Sequence, residues 1–198
     1  MKNYLKSALV AVLFAGVFAS CDDNDTTLPP TASPIFSEDF SRPPGEMFDF
    51  EGWTVFTEAG TKDWFKNAFG GNDYIEFSSF NSGNASNIGW AITPAINIDA
   101  AQLKRLIFQS AQHHATSLDN KFEVLVSGNY DGENVLAAEW ELKSFRLPPY
   151  ANAYNYDFYN SGVVDLSNYS GEIHIAFRVK GNSTTQTGGF QVDNIKVF

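Results

Sequence analysis

Histidines, acids and tyrosines are the residues of this 198-residue chain with the most chemistry to offer. There are 3 His, 23 Asp and Glu, and 8 Tyr. His113 and His114 are adjacent, so on a strand they face opposite sides and do not chelate one metal together. His174 falls among the polar positions of EIHIAFRVK (172–180) and reads as a surface residue. With 23 acids, some pair meets the roughly 5–9 Å spacing of a glycoside hydrolase by chance, so that spacing alone decides nothing. The chain has no G-x-S-x-G, H-E-x-x-H or P-loop sequence, and catalysis is not expected. Asp193 is more informative. In GGFQVDNIKVF (188–198), Phe190 and Val192 occupy even positions while Ile195 and Val197 occupy odd ones. A strand that keeps one buried face cannot slip by one residue without inverting its side chains, so a bulge is expected at Asp193-Asn194. The carboxylate placed there either caps a nearby loop or ligates a metal; a hard cation such as Ca²⁺ suits oxygen donors best. NYDGENV (129–135) lacks an EF-hand's glycine and closing glutamate and reads as a turn bent at Asp131-Gly132.

Tyrosines gather in FRLPPYANAYNYDFYNS (145–161), which carries Tyr150, Tyr154, Tyr156 and Tyr159 beside Phe145 and Phe158. Arg146 and Asp157 are its only charges. A segment of this length between strands is uncommon and often functional. Its rings either form a platform for a sugar, flat and apolar with a hydroxyl at the edge, or fold back over a sheet edge. Tyr154 and Tyr156, after the proline turn, are the expected exposed pair.

The elements that must hold these residues are strands. Beyond Pro34 the apolar period is two: Ile173, Ile175, Phe177 and Val179 share a face, as do Phe122, Val124 and Val126, Leu106 and Phe108, and Ile75 and Phe77. Turn-forming stretches such as GGND, NSGN and KGNSTT separate them. About ten short strands are expected, with one helical turn after Asp99, in an antiparallel sandwich or barrel. The 164 residues of 35–198 suit one domain burying roughly 70% of its unfolded surface.

Residues 1–20 read as a secretory signal: Lys2 and Lys6, an apolar run from Ala8 to Phe18, then small Ala19 and Ser20. The run is too short for a membrane span, which needs about 20 residues. Removing the two lysines moves the net charge from −10 to −12, a surface that repels phosphate backbones and excludes nucleic acid as an expected partner. Cys21, the chain's only cysteine, permits no internal disulfide. Its place directly after the apolar run resembles the lipobox of bacterial lipoproteins, although Phe18 stands where leucine is commonest. That resemblance implies cleavage before Cys21 and its acylation, an anchor that needs more than one chain for stability. Asp22, Asp23 and Asp25 are similar to the surface-export signal of Bacteroidetes lipoproteins, implying the outer face of the outer membrane. Residues 21–34 are acidic and rich in Thr and Pro, a tether expected to be extended. Asp25-Thr26-Thr27 also resembles a short Bacteroidetes O-glycosylation sequon.

The order of segments beyond the tether carries a second resemblance. IFSEDFS, Gly52-Trp53, Trp64, GWAITPAINI, FEVLVSGNYDG, DLSNYSGEIHIAFRVKG and FQVDNIKV together look like the choice-of-anchor J and cleaved-adhesin domains of Bacteroidetes surface proteins, over residues 36–198. The resemblance implies an all-β, jelly-roll antiparallel sandwich and a non-catalytic role in adhesion or glycan handling. In jelly rolls of this kind a structural calcium often joins first strand to last, which implies Glu38 or Asp39 with Asp193 as ligands. The segment 145–161 departs from the family in its length and tyrosine content. The reading is a surface lipoprotein binding a glycan or a protein. An accessory part of a glycan-uptake system and a hydrolase with an unrecognised carboxylate pair are the alternatives.

Overall fold

The computed structural model describes residues 32–41, 51–115, 117–149 and 156–198. Cys21, the signal and nearly all of the tether lie outside them, as do Tyr150 and Tyr154. In chain order the strands are β1 (Phe36–Glu38), β2 (Thr54–Ala59), β3 (Phe65–Phe69), β4 (Asn72–Ser78), β5 (Asn87–Ile92), β6 (Ile96–Asn97), β7 (Arg105–His113), β8 (Lys121–Ser127), β9 (Glu141–Lys143), β10 (Tyr159–Asn160), β11 (Val164–Asp165), β12 (Glu172–Gly181) and β13 (Gly189–Val197). The helical turn expected after Asp99 is instead centred on it, a 3-10 turn over Ile98–Ala100 capped by the Asn97 side chain.

All pairings are antiparallel and form two sheets. The first runs β10-β7-β13-β4-β3, with β1 on β13 and β11 on β7; the second runs β2-β5-β12-β8-β9, with β6 on β12. The apolar faces read from the sequence meet between them. Ile75, Phe77, Leu106, Phe108, Phe190 and Val192 of the first sheet pack with Phe122, Val124, Val126, Ile173, Ile175, Phe177 and Val179 of the second in one core. Each such residue contributes roughly 1.5–3 kcal/mol by leaving water. Gly89 of β5 belongs to this fit, because a Cβ there would lie 2.2 Å from the Phe77 ring. The fold is a jelly-roll β-sandwich.

The expected bulge is present. The register of β13 against β7 shifts between Asp193 and Lys196, and Asn194 has φ 52°. It marks a change of neighbour: β4 pairs with β13 up to Val192, and β1 takes over from Ile195. Phe190, Val192, Ile195 and Val197 are all buried as a result.

The outer faces of the two sheets differ. On the second, Trp90, Ile92, Leu125 and Ala176 are covered by Tyr130, Val135 and Trp140 from the segment between β8 and β9. On the first, among the described residues, side chains of the opposite phase to the core line a groove.

Candidate functional site

The groove floor is built from outward side chains of β3, β4, β7 and β13: Asn67, Tyr74, Glu76, Gln109, His113 and Gln191. It has two lobes. One, about 640 Å³, is lined by the carboxamides Asn67, Asn72, Gln109 and Gln191, with Phe69, Tyr74 and Phe158. The other, about 690 Å³, is lined by Lys62, Asp63, Phe65, Phe80, His114 and Thr187. Glu76, His113 and Tyr156 belong to both and form the waist between them.

The waist is ordered by hydrogen bonds. Glu76 Oε2 accepts from Asn67 Nδ2 at 2.9 Å and Gln191 Nε2 at 3.0 Å, while Oε1 lies 3.2 Å from His113 Nε2. Burial pushes the Glu76 carboxyl upward, but the bonds from His113, Gln191 and Asn67 outweigh it and hold it below the usual range. His113 reaches Glu76 by crossing β13 at Gly189, its directly opposed residue. A Cβ at Gly189 would lie 2.1 Å from Nε2, so glycine is required there. Tyr156 stacks on the His113 ring with centroids 4.5 Å apart.

His113 and His114 do not face opposite ways as strand alternation predicts. His114 follows the end of β7 with φ 53°, and this left-handed turn brings the two Nδ1 atoms to 2.9 Å. His174 is partly buried, with Nδ1 2.8 Å from the Thr93 carbonyl oxygen and its ring edge-on to Tyr130.

The aromatic segment divides. Phe145 packs on Phe108 and Phe122 at the core. Gln112 Nε2 donates to the carbonyls of Pro148 and Pro149, tying the segment to β7. Tyr156 is exposed and Phe158 packs on Tyr74, both in the groove. Tyr159 is half-buried with the Arg146 guanidinium over its ring, and lines neither lobe. Among the described residues, every exposed aromatic side chain, Phe65, Phe69, Phe80 and Tyr156, lines the groove. Of these, the sequence pointed to Tyr156 alone. The signal for the others is the phase opposite to the core: Phe65, Asn67 and Phe69 in β3, and Tyr74 and Glu76 in β4.

The acids implied for calcium meet at one corner. β1 ends beside the bulge, with Glu38 opposite Ile195. Asp193 is 1% exposed; its Oδ1 accepts from the Asn194 amide and its Oδ2 from Asn194 Nδ2. Burial raises its carboxyl, and the charges of Asp39 and Asp73 add to this against hydrogen bonds from Asn194 and Asn72. Glu38 Oε1 accepts from the Phe40 amide, and Asp39 Oδ1 from the Ser41 amide. No three His, Cys, Asp or Glu side chains among the described residues are arranged to hold a metal, so these carboxylates form no ready cage as they stand.

No family model matches the chain, and no curated protein matches it. Solved structures do. The chain is similar to the K2 cleaved adhesin domain of Lys-gingipain, at 15% identity and a TM-score of 0.55, over 82% of this chain and 98% of that one. It is also similar to the K3 cleaved adhesin domain of Lys-gingipain from Porphyromonas gingivalis, at 14% identity and a TM-score of 0.52, over 83% and 99%.

Proposed function

We propose that this domain, which shares the fold of cleaved adhesin domains, is a non-catalytic binding module whose groove takes a neutral, hydroxyl-rich glycan. One observation carries the reading: the exposed aromatic rings of the described residues converge on one groove with a carboxamide-lined lobe. Surface aromatics scattered singly need no explanation, but a contiguous patch marks an interaction site. Rings pack on the apolar faces of sugars, and Asn and Gln both donate to and accept from hydroxyls. Glu76 is poorly suited to be the general acid of a hydrolase, because three hydrogen-bond donors hold its carboxyl below the usual range. A protein ligand is the second reading, favoured by the three phenylalanines, Phe65, Phe69 and Phe80, which lack a polar edge.

The proposal extends to the whole chain as an outer-membrane, surface-exposed lipoprotein anchored through Cys21, serving either adhesion or glycan uptake. A structural Ca²⁺ at Asp193 with Glu38 or Asp39 is part of the proposal. What supports it is a buried carboxylate crowded by two further acids, a corner that a cation would relieve once those side chains turn toward it. A glycan array tests the binding reading. Tyr156→Ala is expected to weaken any glycan hit roughly two- to tenfold, as loss of one ring contact does, with little change in melting temperature. An array with no hits, or a hit indifferent to both Tyr156→Ala and Phe69→Ala, rules the groove out as a glycan site.

A further inference from the structure

We propose that His113 and His114 form a binding site for Cu(II), with Glu76 orienting His113 from behind. The site goes beyond the glycan reading and does not depend on it. The two Nδ1 atoms are 2.9 Å apart. A metal about 2.0 Å from each nitrogen, the usual imidazole bond length, would then subtend close to a right angle between them. Right-angle nitrogen donors are the tetragonal arrangement of Cu(II) and Ni(II) rather than the tetrahedral one of zinc. Copper also stands highest in the general order of divalent affinities.

The pair is prepared for this in three ways. Glu76 Oε1 lies 3.2 Å from His113 Nε2, a carboxylate oxygen placed to accept a hydrogen bond from that nitrogen. The other ring nitrogen, Nδ1, faces His114, the carboxylate–histidine–metal arrangement that orients a ligating ring. Tyr156 stacked on the ring, and the open backbone at Gly189, hold His113 in that plane. His114 adopts a left-handed φ of 53°, a conformation that costs a non-glycine residue energy and concentrates at functional sites. Its ring stands at 89° to that of His113. In the metal-free pair the two Nδ1 atoms are joined by one hydrogen bond. Copper would take its place, with the shared proton exchanged through solvent to the outer nitrogen of the ring that gives it up. Two protein nitrogens leave the other coordination positions to water from the groove.

The test uses the untagged full chain carrying Cys21→Ala, which removes its only thiol. Cu(II) titration followed by electron paramagnetic resonance is expected to show one saturable equivalent with splitting from two nitrogens. His113→Ala and His114→Gln should each lose that signature, and His174→Ala should keep it. Glu76→Gln should weaken affinity about 10- to 100-fold. No saturable equivalent, or an unchanged spectrum and affinity in His114→Gln, overturns the site. Unchanged affinity in Glu76→Gln overturns the role given to Glu76.

Discussion

At the scale of the residue, the groove rests on one carboxylate. Glu76 gathers donors from three strands: Asn67 on β3, His113 on β7 and Gln191 on β13. Its carboxyl is held below the ordinary value in the folded state, so ionised Glu76 stabilises the fold above the unfolded-state pKa of about 4.3. That contribution is lost as pH falls through the depressed folded value. Glu76→Gln is therefore expected to be less stable than the parent at pH 7, with the gap closing on acidification toward pH 3. Urea unfolding at several pH values measures it. A gap that stayed constant or widened in acid would mean that the ionised carboxylate is not what the three donors stabilise. The proximity of His113 and His114 is not legible in the sequence. Alternation applies only inside a strand, and the left-handed turn at His114 ends it; nothing local in SAQHHAT announces where β7 stops.

At the scale of the element, β13 joins what the sequence makes legible to what it hides. The parity change from Phe190 and Val192 to Ile195 and Val197 needs only the strand's period of two, so the bulge could be read from eleven residues. The core faces of β4, β7, β8 and β12 were legible for the same reason. The groove was not, because its floor takes outward residues from four strands, two of them separated by more than a hundred positions. No single segment shows which strands become neighbours. The calcium proposal is tested at the same bulge. A cation that binds only the folded state at a hundredfold over its Kd adds about 2.7 kcal/mol, or roughly 5–10 °C in Tm for a domain of this size. Chelator should lower the melting temperature of the parent by that amount and leave Asp193→Ala unmoved. If no cation binds, chelator has no effect, and Asp193→Asn should stabilise the protein at neutral pH by removing a buried charge that burial and its acidic neighbours disfavour.

At the scale of the whole molecule, the two outer faces of the sandwich differ: among the described residues, one is covered and the other carries the groove. The second sheet is covered by Trp140, Tyr130 and Val135, while the first keeps its rings in solvent around the groove. A binding module of this kind acts only where it can meet a ligand, so the proposed anchor at Cys21 is tested together with the groove. One acyl chain gives marginal, reversible attachment and two or more give a stable one. The acids that follow Cys21 and the net charge of −12 without the signal lysines disfavour contact with an anionic surface by charge. Lipid is then the sole attachment expected. Cys21→Ala should accordingly shift the protein from the membrane fraction to a soluble or unprocessed form, rather than merely weaken its partition. High salt, which screens surface charge, should not release the parent. Protease added to intact cells should degrade the anchored protein if it faces outward. Membrane partition unchanged by Cys21→Ala would remove the lipid anchor from the proposal, and protection from protease would place the groove on the inner side, away from ligands on other cells.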